Sequence, residues 1–172
     1  MNPILTILDN LACGHLRELV FDMDGTIAAL YGVEGWLSYL QSYQTYPYEV
    51  AKPMWEMRLM VSYLNRIRAC GVKVSVVTWL AKNSTPDYDT AVAKAKREWL
   101  SRYHFPCDNI HIVPYGTPKH QCVEHFHRAI IIDDDARVRN DWGTNRAINP
   151  CEVDLIAFLR RMAETAEKYH RH

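Results

Sequence analysis

The stretch that most constrains the fold is Leu19-Val20-Phe21-Asp22-Met23-Asp24-Gly25-Thr26. A short apolar run stops abruptly in two carboxylates one residue apart, followed by a glycine and a threonine. That is the pattern of a buried strand delivering acidic side chains to the end of a sheet. If the strand continued through both acids, Asp22 and Asp24 would share a face. Gly25 predicts instead that the chain turns at once, leaving one carboxylate in the site and bending the next over it. Two acids beside an apolar strand repel each other and cost desolvation. A cation between them, or a proton on one, makes the pair tolerable. Other residues must therefore converge on this point.

The remaining pattern alternates strands with helices. Residues 3–12 form a weakly amphipathic helix ending before Gly14, which either covers a sheet edge or makes a dimer contact. Arg17–Asp22 is the first strand. An aromatic stretch holding Tyr31, Trp36, Tyr39, Tyr43, Tyr46 and Tyr48 follows, with a short helix near 33–42 and then a loop. Pro53 at a first-turn position opens a long helix with Trp55, Leu59, Tyr63 and Ile67 at spacing four, Met60 and Leu64 beside them, and Gly71 at its end. Val72–Thr78 is the second strand, and Thr85-Pro86-Asp87 starts a helix running to about Tyr103. Its apolar side is read as Ala91, Ala95, Trp99 or Leu100, and Tyr103, with Lys94, Lys96 and Arg97 on a solvated face. Ile110–Val113 is the third strand, Lys119–Phe126 a helix, Ala129–Ile132 the fourth strand and Arg146–Ile148 the fifth. Asn149-Pro150 caps a terminal helix with Leu155, Leu159, Met162 and Ala166 inside. The expectation is an α/β fold, a three-layer doubly wound parallel sheet with helices on both faces.

With 172 residues, the chain suits a single domain spanning 1–172. Twenty basic and twenty acidic residues balance, so net charge gives no support for a nucleic-acid or anionic-membrane partner. No apolar run reaches the ~20 residues of a membrane span. The first nine residues lack the pattern of a signal peptide. Cys13, Cys70, Cys107, Cys122 and Cys151 are odd in number and never spaced as CxxC. They predict free thiols in a reducing, cytoplasmic setting.

In a parallel sheet, ligands bind beyond the carboxyl ends of the strands. Asp22 and Asp24, Thr78, Lys119, and Asp133-Asp134-Asp135 all fall at that edge. Acids, a hydroxyl and a lysine together suit a hard, oxygen-ligated cation and an anionic substrate. These segments, in this order, resemble the four motifs of the haloacid dehalogenase-like phosphohydrolases: Phe21–Thr26, Val76-Val77-Thr78, Lys119, and Ile131-Ile132-Asp133-Asp134. The resemblance covers residues 17–148 and implies a Mg2+-dependent phosphatase. It implies that Asp22 attacks phosphorus and forms an aspartyl-phosphate, and that Asp24 carries the proton. Thr78 and Lys119 would hold phosphoryl oxygens. Asp22, the Asp24 carbonyl, Asp133 and Asp134 would form the metal site, Asp134 being favoured over Asp133 as the direct ligand. Asp135 would face solvent or support the site from behind.

Trp79 departs from the family's small or polar residue after the threonine. It either narrows the phosphate end or forms a pocket wall. His120, Cys122, His125 and His127 do not share one helix face, which argues against zinc. Residues 28–52 lie where this family places a cap, and their length permits only a small lid. Its aromatics either stack on a base or sugar, or pack against the core. The substrate expected is a small phosphorylated metabolite, first a nucleoside or deoxynucleoside monophosphate. A larger substrate, such as a nucleic-acid end or phosphoprotein, is the alternative, and a phosphate-binding module without turnover is the non-enzymatic one. A receiver domain is rejected because the double aspartate comes late in the chain.

Overall fold

The structure is a computed structural model that describes residues 3–170. Its centre is a five-stranded, all-parallel sheet of β1 (Glu18–Phe21), β2 (Lys73–Trp79), β3 (Asn109–Val113), β4 (Ala129–Ile132) and β5 (Ala147–Ile148), in the spatial order β3-β2-β1-β4-β5. Helices α1 (Pro3–Ala12), α2 (Trp36–Gln41), α3 (Tyr46–Val50), α4 (Met57–Ala69), α5 (Pro86–Arg102), α6 (Ala136–Trp142) and α7 (Leu155–His170) surround it. The expected α/β three-layer, Rossmann-like architecture is what forms.

The side-chain period of two explains the layers. Leu19, Phe21, Val74, Val76, Ile130 and Ile132 face one way, into a core shared with α1, α4 and α7. Val20, Val77 and Ile131 face the other way, against Val123 and the α6 residues Val138 and Trp142. The two-sided burial accounts for the unbroken apolar runs in the strands. From β1 the chain moves outward through β2 to β3, then returns to place β4 on the other side of β1. The topological switch point therefore lies at the ends of β1 and β4, which stop level because Phe21 pairs with Ile132. Asp22 and Asp133 are the next residue of each strand.

Several elements differ from expectation. The long helix begins at Met57, because the Glu56 side chain accepts from the backbone N–H groups of Arg58 and Leu59 and so caps it. Pro53 instead forms an antiparallel bridge with Ala28. Leu59 is exposed, while Met60, Leu64 and Ile67 are buried. The segment after Gln41 is more than a loop, since α3 forms within it. Lys119–Phe126 makes two separate 3-10 turns, Lys119–Cys122 and Phe126–Arg128, in place of one helix. Helix α6 was not anticipated. It starts because the Asp135 side chain accepts from the Arg137 N–H, so the third aspartate is a cap. The terminal helix starts at Leu155, where Asp154 accepts from the Ala157 N–H, and Asn149 forms a turn of its own with Cys151 and Glu152. Helix α1 packs on α7 through Ile7, Leu8 and Leu11. The five cysteines carry no disulfide, and among the described residues no helix is long and apolar enough to cross a membrane.

Candidate active site

Beyond the carboxyl ends of β1 and β4 lies a cavity of about 740 Å3. Asp22, Asp24, Trp79, Lys119, Asp133 and Asp134 all line it. Asp22 leaves β1 with its N–H donating to the Ile132 carbonyl at 2.9 Å, which fixes its position against the fourth strand. The chain then turns, as Gly25 predicts: φ at Gly25 is +81°, and a short bridge joins Asp24 to Ala28. Asp24 is thereby carried off the strand line and over the site.

Lys119 Nζ sits between two acids. It donates to Asp22 Oδ1 at 2.5 Å and to Asp133 Oδ2 at 2.7 Å. Burial alone would lower the lysine's pKa, but the two carboxylates outweigh it and raise the value. One cation cannot neutralise both acids. Asp133 is accordingly pushed up to about 7, first by burial and then by Asp22, with Lys119 opposing. Asp134 is pushed up to about 6, again by burial and then by Asp22.

Carboxylate oxygens of Asp22, Asp133 and Asp134 lie within 4.8 Å of one another, the only such cluster of possible metal ligands among the described residues. Three acids against one lysine leave negative charge that a hard divalent cation would offset, and an all-oxygen donor set suits such an ion. Asp133 already uses Oδ2 for Lys119 and Oδ1 for the Asp135 N–H, and it has no exposed surface. Asp134 is less committed: Oδ1 meets the Thr26 hydroxyl at 3.4 Å, while Oδ2 faces Gly25. The Asp24 carboxylate lies outside this cluster, and its pKa is raised, chiefly by burial, against the influence of Lys96.

Lys96 corrects the expectation of a solvated face. Lys94 and Arg97 are exposed, but Lys96 is completely buried. Its ammonium donates to Asp24 Oδ2 at 2.5 Å, Thr78 Oγ1 at 2.7 Å and the Trp79 carbonyl at 2.8 Å. A signal for it existed. The buried stripe of α5 is Tyr88, Val92, Ala95, Lys96, Trp99 and Leu100, so Lys96 sits four residues from both Val92 and Leu100. A lysine within an apolar stripe is retained when an anion waits for it. Thr78 is also fully buried and is not among the residues lining the cavity.

Trp79 forms a wall. Its ring lies 5.1 Å from that of Tyr115, its Nε1 donates to the Thr117 carbonyl at 2.8 Å, and Lys119 Nζ stands 4.9 Å from its centroid. Residues 30–48 supply the facing wall with Tyr31, Trp36, Leu37, Leu40 and Tyr43. The aromatic stretch divides its roles: Tyr48 packs against α5, whereas Tyr31 and Tyr43 stay about half exposed at the cavity. Helix α5 holds this segment down, with Tyr88 donating to the Gln44 carbonyl and Trp99 to the Ala51 carbonyl. Neither a scan against known protein families nor a search of curated proteins returns a match to the chain.

Proposed function

We propose that the chain is a Mg2+-dependent phosphomonoester hydrolase of the haloacid dehalogenase-like kind, acting on a small phosphorylated metabolite. The observation that carries this reading is the meeting of Asp22, Lys119, Asp133 and Asp134 at the switch point, with Asp24 turned over them. Asp22 and Asp134 would hold the metal, with Asp133 beside them and the Asp24 carbonyl completing the set. When bound, Mg2+ supplies neutralisation of phosphoryl charge and fixes the in-line arrangement. An Asp22 oxygen attacks phosphorus, and the bond from phosphorus to the ester oxygen breaks. Asp24 gives its proton to that departing oxygen, which is a poor leaving group as an alkoxide. Water then attacks the aspartyl-phosphate and gives a proton to Asp24. Phosphate leaves and the Asp22 carboxylate returns. Lys119 offsets charge on the phosphoryl oxygens throughout, while Thr78, buried behind the cavity wall, meets the site through Lys96.

The cavity volume lies within the usual range for small-ligand sites. Tyr31, Trp36 and Tyr43 offer flat apolar faces, and Gln41 offers an amide that can pair with a base edge. A nucleoside or deoxynucleoside monophosphate is the first choice on that ground. The free thiols fit a cytoplasmic setting.

The test is hydrolysis of 4-nitrophenyl phosphate with Mg2+ and with a chelator, using Asp22→Asn as control. A panel of nucleotides and sugar phosphates follows. Wild type should turn over only with metal, and Asp22→Asn should not. Equal inactivity of both proteins across the panel rejects the enzyme and leaves a phosphate-binding module, which direct binding of phosphate would reveal.

A further inference from the structure

We infer that Lys96, which lies behind the cavity wall, is a positioning residue that holds Asp24 in its proton-transfer orientation and couples it to Thr78. This rests on the hydrolase reading and extends it to a residue outside the four motif segments. All three hydrogens of the ammonium are used, on Asp24 Oδ2, Thr78 Oγ1 and the Trp79 carbonyl. An ammonium with three fixed acceptors has no rotational freedom left. Its stem is locked in the core of α5, between Val92 and Leu100, and the Tyr48 ring stands 5.1 Å from Nζ. Lys96 has no exposed surface and does not line the cavity, so substrate does not reach it.

The geometry divides the work between the two Asp24 oxygens. Oδ2 is tied to Lys96, so Oδ1 is the oxygen that exchanges a proton with the ester oxygen or with water. Thr78 Oγ1 uses a lone pair on Lys96, which turns its own hydrogen away from the ammonium. One buried cation thus sets the rotamer of the proton carrier and the direction of the motif-two hydroxyl together. Without it, Asp24 would swing about χ1 and χ2, and a displacement of about 1 Å can cost ~100-fold in rate.

A proton carrier matters most when the leaving oxygen is basic. The experiment therefore compares Lys96→Met with wild type on two esters, an alkyl phosphate and 4-nitrophenyl phosphate, and separates kcat from KM. The expected result is a fall in kcat/KM, which reports phosphoryl transfer to Asp22 and not the shared hydrolysis step, of about 100-fold or more on the alkyl ester, within the usual contribution of acid–base catalysis, and under about 10-fold on the aryl ester. A loss of packing alone would lower both equally. Because Lys96→Met strands a buried carboxylate, the double variant Asp24→Asn/Lys96→Met is measured as well. In it both charges of the Asp24–Lys96 pair are removed together, and circular dichroism checks its fold. If Lys96 acts through Asp24, removing it from the Asp24→Asn background lowers aryl phosphate turnover by less than about threefold, since coupled residues are non-additive. Equal losses of kcat/KM on both esters, or full additivity in the double variant, overturn the positioning role while leaving the hydrolase reading intact. No turnover by wild type on either ester overturns both.

Discussion

Gly25→Ala separates the fold from the site more sharply than removing any ligand does. Gly25 has φ of +81°, and a methyl placed on it would lie 2.4 Å from Asp134 Oδ2 and 2.6 Å from Tyr31 Cε2, well inside the 3.4 Å at which ordinary contact begins. Two effects add. The left-handed backbone costs an alanine about 1–2 kcal/mol. The clash is relieved by moving the ends of two side chains, one of which is a candidate metal ligand. The backbone effect corresponds to a fall in Tm of roughly 2–8 °C for a chain of this size. The displacement of Asp134 should weaken Mg2+ about 10- to 100-fold, as loss of support for a ligand commonly does. The assay is thermal denaturation across a Mg2+ titration. Saturation at 100 times Kd should stabilise wild type by about 2.7 kcal/mol, whereas the variant at the same concentration should show a much smaller rise. A variant whose Mg2+-dependent shift equals that of wild type would refute the placement of Asp134 at the metal and the reason given for glycine here.

The metal-free protein should lose stability as pH rises from about 4 to 8. Asp133 and Asp134 have folded pKa values raised to about 7 and about 6, so in that window the folded state binds more protons than the unfolded one. Urea midpoints at pH 5 and pH 8 check the sign, and saturating Mg2+ at pH 8 should restore what is lost. Leu159→Ala should cost about 2–5 kcal/mol, since that side chain is wholly buried in the main core that α7 shares with α1 and α4. By contrast, Arg66→Ala breaks a two-bond pair with Glu167 joining α4 to α7, yet its partly exposed position limits the loss to roughly 0.5 kcal/mol. Equilibrium denaturation of both variants measures the difference.

The sheet was legible because each strand carries its own signal. Ala129–Ile132 is uninterrupted and apolar because both faces are covered, and Val74, Val76 and Val77 repeat the pattern in β2. The helix starts were less legible, because capping is decided by side-chain geometry that short motifs only hint at. Pro53 looks like a first-turn residue, but its ring suits the bridge to Ala28 equally well, and Glu56 makes the better cap. In the segment 119–128, Pro118 and Val123 flank turns too short to propagate, and no apolar period of 3.6 sustains a helix there. Asp133-Asp134-Asp135 reads as three equivalent acids. Folding gives them separate tasks, one under Lys119, one toward the candidate metal cluster, one capping α6.

Lys96 shows where reading by charge alone fails. Lys94, Lys96 and Arg97 are close in sequence, and proximity suggests a common face. A helix turns 100° per residue, so Lys96 stands well away from both neighbours and falls in line with Val92 and Leu100. Burying an ammonium is costly unless it is paired and hydrogen-bonded, so its position within the apolar stripe was itself evidence of a buried anion. Asp24 needed the same partner from its own side, because Lys119 is occupied by Asp22 and Asp133. The opening question, what makes two acids beside an apolar strand tolerable, thus has two answers. A different lysine stands against each acid of the pair: Lys119, shared with Asp133, against Asp22, and Lys96 against Asp24. The pair is held apart electrostatically before any metal enters. On the proposed reading Asp22 is the nucleophile beside Lys119, and Asp24 can carry a proton because burial raises its pKa against the pull of Lys96.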